Sequence, residues 1–365
     1  MTYFFLVGEA SGDMHAAALI ATLRQRDPEA QLVGTGGDNM QAAGVRLVLH
    51  YRDMAFMGVI AVLRNLRQIR KNFRVAEQAI LETKPDVLYL VDYPSFNLKM
   101  AEFVRKHLPK TKIIYYIPPK VWAWKTHRIH RIARLCDEVQ SIFPFEPAFY
   151  AKFGYRCTYV GNPTARAIAA WQEEHSQITN HHTAQADRKK SKIKNPEYLA
   201  LLPGSRKNEI SNCLPKMLKA VKQSSNLQIE IVAAPGIDDE FYKPYLSDNI
   251  TLTRDAWTTL SSAKAALVAS GTATLEAALL GCPQVAVYRI ITSRWLGWLR
   301  PFIFKIKYFT LVNIIAGKQV IYEAIGPKFS TANIRRELQR ILTDEDYKKN
   351  MLADYEHIKN LMSDC

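Results

Sequence analysis

A carboxylate that ends a buried apolar run is well placed for acid–base chemistry. Here Val87-Leu88-Tyr89-Leu90-Val91 leads directly into Asp92-Tyr93-Pro94-Ser95-Phe96-Asn97. The apolar run reads as a buried strand, and ligands of open α/β sheets gather at the carboxyl ends of such strands. Asp92 is therefore a candidate general base, with the capping of a turn before Pro94 as the structural alternative. Gly8-Glu9-Ala10-Ser11-Gly12-Asp13 stands in the same relation to the apolar run at residues 3–7. Its small residues suit a tight turn with close backbone approach, but the spacing is not GxGxxG and predicts no dinucleotide site. Ser11, Asp13 and His15 do not make a hydrolase either, because Glu9 breaks the Gly-x-Ser-x-Gly pattern.

Two further segments suit an anion. Ala265-Ala266-Leu267-Val268-Ala269 reads as a strand and is followed by Ser270-Gly271-Thr272-Ala273-Thr274-Leu275-Glu276. Ser270 is a favourable N-cap, Gly271 permits close approach, and helix N-terminal amides at Gly271 and Thr272 attract phosphate. Glu276 lies further along the helix, where a carboxylate can accept hydrogen bonds from a ribose diol. Leu202-Pro203-Gly204-Ser205-Arg206 offers a second phosphate-type turn, in which Gly204 and Ser205 precede a guanidinium. The charge balance agrees: 49 Lys and Arg against 34 Asp and Glu give a net charge of +15, pointing to an anionic partner.

The elements that must carry these residues alternate. In the first half, strands are expected at 3–7, 31–34, 87–91, 112–116 and 139–142, with helices at 15–26, 63–84 and 97–107. In the second, strands are expected at 198–202, 228–233, 265–269 and 284–288. Apolar runs separated by helical spacing predict parallel sheets covered by helices. The polar stretch 172–196 has few apolar residues and reads as a linker or mobile excursion. With 365 residues, two α/β domains are expected. Their bounds are 1–168 and 198–345, joined by 169–197, and residues 346–365 form a C-terminal helix that could pack back on the first domain. Two such domains would face each other across a cleft.

The five cysteines are scattered, with no CxxC or zinc spacing, as in a reduced cytoplasmic protein. Asp344-Glu345-Asp346 has the look of a metal-holding acidic triplet, but helix capping explains it equally well. The N-terminus reads as a first strand rather than a signal peptide, and no stretch reaches the roughly 18 apolar residues of a membrane span. Residues 57–74 combine Val59, Ile60, Val62, Leu63, Leu66 and Ile69 with Arg64, Arg67, Arg70, Lys71 and Arg74, and contain no acidic residue. This is the composition of an interfacial amphipathic helix, and a buried helix with a basic outer face is the alternative. Residues 289–310 mix Trp295 and Trp298 with Arg and Lys in a way that suits an anionic headgroup layer. Two tryptophans between basic residues at Lys120-Val121-Trp122-Ala123-Trp124-Lys125 fit a phosphate-bearing lipid, a sugar or a nucleic acid.

Taken in order, these motifs resemble the lipid-A-disaccharide synthases, glycosyltransferases of the two-domain GT-B fold. The resemblance runs nearly end to end. It also includes Met57-Gly58, Pro144-Phe145-Glu146, Val160-Gly161-Asn162-Pro163 and Asn313-Ile314-Ile315-Ala316-Gly317. Two positions depart from the common pattern: Asn162, where many members have His, and Val312, where many have Pro. The resemblance implies two Rossmann-like domains and an inverting transfer. UDP-2,3-diacylglucosamine would donate its sugar to 2,3-diacylglucosamine 1-phosphate, giving a β-1,6-linked disaccharide phosphate and UDP. Asp92 is the first choice for the base, with Glu9 and Asp13 as alternatives. Arg206 and the Ser270–Gly271–Thr272 helix start would stabilise the leaving diphosphate, and Glu276 and Asn313 would hold the nucleoside. No cofactor and no metal is expected. The expected partners are the two acylated substrates and an anionic membrane surface, with the protein at the inner face of the inner membrane, and a homodimer is compatible with it. Another GT-B enzyme acting on a UDP-sugar is the alternative. A nucleic-acid-binding protein is favoured by the positive charge alone.

Overall fold

The nine expected apolar runs all become strands. The computed structural model describes residues 1–54, 65–185, 197–222, 227–269, 271–289 and 307–363, with the side chains of 176–185 left aside. The chain divides into two compact units, one over Met1–Pro163 and one from Thr164 onward.

The first unit holds β1 (Thr2–Val7), β2 (Gln31–Gly36), β3 (Arg46–His50), β4 (Val87–Val91), β5 (Lys112–Tyr116), β6 (Glu138–Ser141) and β7 (Thr158–Tyr159). They form one sheet in the order β3-β2-β1-β4-β5-β6-β7, with every pair parallel. Helices Ala10–Arg26, Leu66–Thr83, Pro94–His107 and Arg128–Leu135 provide the crossovers between strands. Phe4, Leu6, Leu88, Leu90, Ile113 and Tyr115 from the central strands share one buried cluster with Ile80, Val104, Ile129 and Ile132 from the helices. β1 and β4 are buried almost throughout because both faces of a parallel sheet are covered.

The second unit repeats the plan with β8 (Tyr198–Leu202), β9 (Gln228–Val232), β10 (Ile250–Thr253), β11 (Ala265–Ala269), β12 (Gln284–Tyr288) and β13 (Tyr322–Ile325). Its order is β10-β9-β8-β11-β12-β13, again all parallel. Both sheets therefore reverse their winding direction once, between β1 and β4 in the first and between β8 and β11 in the second. The carboxyl ends at such a reversal diverge and open a crevice, the usual ligand position in this architecture.

Four strands were not expected from the sequence: β3, β7, β10 and β13. They are the edge strands of the two sheets. Edge strands are partly exposed, so they carry mixed residues instead of a continuous apolar run. A second difference concerns the polar stretch expected as a linker, whose first part is helical within Pro163–Gln185. Proline at the first helical position and a run of Ala, Gln and Glu favour a helix without requiring a buried face. The compact units meet at residue 163/164, a few residues before the expected bound.

The C-terminal helix Glu345–Ser363 buries Met351, Tyr355, Ile358 and Met362 and contacts helices Thr272–Leu279, Leu311–Ala316 and Thr331–Thr343 of its own unit. Asp344 Oδ1 accepts the Tyr347 backbone N–H at 2.8 Å, so the acidic triplet caps this helix as the capping alternative predicts.

Candidate active site

Asp92 stands at the carboxyl end of β4, on the β1/β4 reversal. Asp92 and Tyr93 both adopt left-handed backbone conformations, with φ of +46° and +40°. This costs energy for residues with a Cβ and persists only when neighbours enforce it. The enforcing bonds are visible. The Asp92 carbonyl accepts from Tyr115 Oη and Asn97 Nδ2, both at 2.8 Å. Asp92 N–H donates to the Ile117 carbonyl at 3.1 Å. Asn97 Nδ2 also reaches the Leu6 and Val91 carbonyls, both at 3.2 Å, and so ties the ends of β1 and β4 together. These bonds fix the backbone of the turn that carries Asp92. Burial raises the Asp92 pKa, while the Lys120 charge and the Tyr93 backbone N–H pull it back down.

Glu9 is the residue before helix Ala10–Arg26 and is half-buried beside the same turn. Its charge acts on the Tyr93 phenol, which donates to the Met54 carbonyl at 2.7 Å. Glu9 and Asp92 therefore share one neighbourhood.

Asp13 is engaged by a different set of partners. Its buried carboxylate accepts from Gly37 N at 2.7 Å, Asn39 Nδ2 at 2.8 Å, and the Asn39 and Met40 amides, both at 3.1 Å. A carboxylate so fully engaged caps helix Asp38–Ala42 from another element and has little capacity left to take a proton from a substrate. Its role is to hold the loop after β2 against helix Ala10–Arg26.

One acid near Asp92 was not singled out from sequence. Glu146, 1% exposed, accepts Trp122 Nε1–H at 2.8 Å and a short hydrogen bond from Ser141 Oγ. Burial pushes its pKa up to about 7, against the pull of those two bonds and of Lys120. The signal was weak: Asp92 directly follows β4, whereas Glu146 lies a few residues past β6, at the start of helix Glu146–Ala151. Asn162, at the position that departs from the common pattern, is buried and donates to the Ile142 carbonyl at 3.0 Å.

In the second unit, the β8/β11 reversal holds a cavity of about 360 Å³. Gly204, Ser205, Glu209, Arg254, Gly271, Thr272 and Glu276 line it. Gly271 has φ +145° and Gly204 φ +122°, values that glycine adopts readily and other residues rarely do. Gly271 itself occupies the cap position of helix Thr272–Leu279, with no side-chain cap bond, while Ser270 lies outside the described residues. Glu276 faces the cavity, with its pKa raised by burial against the Trp257 indole N–H at 3.4 Å. The Ser205 amide is already met by Glu209 Oε2 at 2.9 Å, so an anion at this turn competes with a resident carboxylate. Arg206 is exposed and lines an adjoining cavity of about 400 Å³ with Asn208, Asn212, Tyr288 and Arg289, sharing Glu209 with the first. Arg254 and Glu209 were not anticipated, because nothing in their own segments marks them.

Asn313 lies apart from this cavity lining. It is fully buried, its Nδ2 donates to the Ile321 carbonyl at 2.9 Å and to Glu323 Oε1 at 3.0 Å, and its Oδ1 accepts from Val320 N and Ile321 N at 2.7 and 2.9 Å. With these groups engaged, its side chain braces the turn into β13.

Of the expected membrane-facing residues, Val59, Ile60, Val62, Leu63, Trp295 and Trp298 lie outside the described residues. Leu66 is 42% exposed and Ile69 half-buried on helix Leu66–Thr83. Among the described residues, no helix is long and apolar enough to cross a membrane, and no group of three or more His, Cys, Asp or Glu could hold a metal ion.

The β1/β4 switch point thus carries the strained Asp92 turn, and the β8/β11 switch point a cavity lined by Gly204 and Gly271. The profile of the family described as lipid-A-disaccharide synthetase matches residues 3–364. The chain belongs to that family. A lipid-A-disaccharide synthase of Myxococcus xanthus is 36% identical across 95% of this chain and 89% of its own length. One from Legionella pneumophila is 34% identical over 98% and 92%. Among solved structures, a UDP-GlcNAc 2-epimerase from Neisseria meningitidis, bound to UDP-GlcNAc, superposes with a TM-score of 0.66 at 14% identity over 99% and 97% of the two chains. A calicheamicin glycosyltransferase does so with 0.58 at 15%, over 98% and 94%. These likenesses show the GT-B fold of this lipid-A-disaccharide synthetase family member.

Proposed function

We propose that the protein is an inverting glycosyltransferase that makes the lipid A disaccharide 1-phosphate. It joins UDP-2,3-diacylglucosamine to 2,3-diacylglucosamine 1-phosphate. The observation that carries the reading is the Asp92 turn, a partly buried carboxylate held by an energetically costly backbone at the β1/β4 reversal. Asp92 takes the proton of the acceptor hydroxyl as its oxygen bonds to the anomeric carbon, and the bond to UDP breaks in the same displacement. The departing diphosphate carries away the electron pair. The amides at Gly271 and Thr272, together with Arg254 and Arg206, supply the positive field for that charge. Glu276 is the acceptor for hydroxyls of the nucleoside.

Arginine and helix-terminal amides supply what a divalent ion would, so turnover should persist in excess EDTA. Acylated substrates place the enzyme at a membrane surface, and the exposed Leu66 with Arg67, Arg70, Lys71 and Arg74 fits an anionic one. The test is an assay with both radiolabelled diacyl substrates that reads the disaccharide phosphate and compares native protein with Asp92→Asn. Absence of that product from the native protein would refute the reading.

A further inference from the structure

The buried Glu146 is not needed for any step above, yet it is joined to Asp92 through three successive strand ends. From β4, Asp92 N–H bonds to the carbonyl of Ile117, the first residue past β5. From there the loop runs through Pro118, Pro119, Lys120 and Trp122 to His127 before helix Arg128–Leu135. Ile117 and Lys125, near its two ends, have φ of +59° and +54°. For Ile117, β-branched, that conformation is a strong outlier and must be imposed from outside. From the segment after β6, Glu146 reaches into this loop and accepts the Trp122 indole N–H at 2.8 Å. Phe145 packs edge-on against the Trp122 ring at 5.2 Å. Ser141 Oγ holds the second carboxyl oxygen and also accepts Phe143 N–H at 2.9 Å. Lys120, exposed and two residues before Trp122, lies close enough to act on both Asp92 and Glu146.

We propose that Glu146 is a positioning residue for this site: it pins Trp122 and thereby fixes the loop that holds Lys120 beside Asp92. The proposal rests on the reading of Asp92 as the base. A protein core seldom retains a buried carboxyl for stability alone, since an apolar side chain of similar size would cost less to bury. Here the carboxyl supplies a directional bond to a loop side chain two residues from Lys120. Lys120 in turn helps keep Asp92 ionised and able to accept a proton.

The titratable groups facing Asp92 are Lys120 from the loop, Tyr115 from β5, Glu146 from the segment after β6, and Tyr93 with Glu9 behind it. Trp122→Phe changes none of these charges and keeps the edge contact with Phe145, but it removes the indole N–H. It should lower kcat on the order of 10–100-fold, as small misplacements of catalytic groups do, with KM for the UDP-sugar donor nearly unchanged. The acid limb of its kcat profile should move to higher pH, in the same direction as in Lys120→Met. Glu146→Leu should lower kcat similarly, and Glu146→Gln, whose amide oxygen still accepts the indole N–H, should recover most of it. The Glu146→Leu/Trp122→Phe double variant should be no slower than either single variant. An unmoved acid limb in Trp122→Phe, or losses that multiply in the double variant, would overturn the proposal. Should Glu146→Leu fail to fold, Trp122→Phe and Glu146→Gln still decide it. Asp92→Asn is measured alongside: near-native turnover there removes the base reading, an outcome distinct from multiplying losses at Glu146 and Trp122.

Discussion

The Tyr93 ring lies across Gly8 so closely that a Cβ on Gly8 would stand 2.3 Å from Tyr93 Cδ1. Gly8 directly follows β1 and Tyr93 follows Asp92, so the two sides of the β1/β4 crevice touch at this point. The missing side chain at Gly8 is what lets the aromatic ring settle there and Tyr93 Oη reach the Met54 carbonyl. Gly8→Ala should force the ring aside and drag the left-handed Asp92–Tyr93 pair with it. Overpacking of this kind typically costs about 1–3 kcal/mol. Turnover should fall by more than the stability loss explains, because Asp92 is displaced. Urea denaturation and kcat on the same preparation check this, and unchanged kcat would show that Asp92 does not depend on the contact.

Asp13 and Asp92 should respond oppositely to the same substitution. Asp13→Asn puts an N–H₂ group in place of one carboxylate oxygen, so that it faces either the Gly37 and Met40 amides or the Asn39 amide, donors that lose their acceptor. The expected cost is about 1–3 kcal/mol of stability, seen as a lower melting temperature. Asp92→Asn should leave melting nearly unchanged and reduce turnover about 10²–10⁴-fold. Native-like melting of Asp13→Asn with turnover abolished would return Asp13 to the chemistry.

Much of this arrangement was legible in the sequence, and the limits of that legibility are physical. Buried parallel strands are covered on both faces and appear as continuous apolar runs, so β1, β2, β4, β5, β6, β8, β9, β11 and β12 could be read. Asp92 and Gly204 could be read because a residue just past such a run must lie at the sheet's carboxyl edge. The edge strands β3, β7, β10 and β13 lack that signature. Asp13 and Asn313 looked like site residues by type and motif. Whether their polar atoms were already satisfied depended on partners such as Met40 and Glu323, which only the folded chain brings near. Glu146 sits in the Pro144-Phe145-Glu146 motif, but its burial and its bond to Trp122 depend on the pairing of β5 with β6.

Glu146 should also leave a trace in the pH dependence of stability. Its folded-state pKa of about 7 lies above the ordinary value of 4.5. The unfolded chain therefore releases this proton first as pH rises. The stability from the protonated carboxyl is full below pH 4.5 and is lost as pH climbs to about 7. Glu146→Gln cannot ionise, so its stability relative to the native protein should improve across that window. The relative change should be on the order of 1–3 kcal/mol. Denaturant midpoints of both proteins at several pH values measure it. A constant difference between them would mean that Glu146 titrates as an ordinary glutamate.

The membrane expectation can be tested on described residues alone. Helix Leu66–Thr83 buries Asn72, Ala76 and Ile80, which sets its inner face. Arg67, Arg70, Lys71 and Arg74 are exposed, and Leu66 beside them is 42% exposed. No acidic residue occurs in the first turn to repel a negative surface. Each basic side chain near an anionic leaflet contributes about 1 kcal/mol of attraction. Replacing all four with Gln should therefore weaken partition onto anionic vesicles on the order of 10²–10³-fold. Melting should change little, because the four side chains lie off the buried face. Binding to zwitterionic vesicles should be nearly unaffected, since the attraction is electrostatic and screened by salt. Co-sedimentation at low and high salt with both vesicle types separates the outcomes. If the four-Gln variant binds anionic vesicles as the native protein does, this helix is not the membrane-facing surface, and the basic and aromatic stretch at 289–310 becomes the next segment to alter.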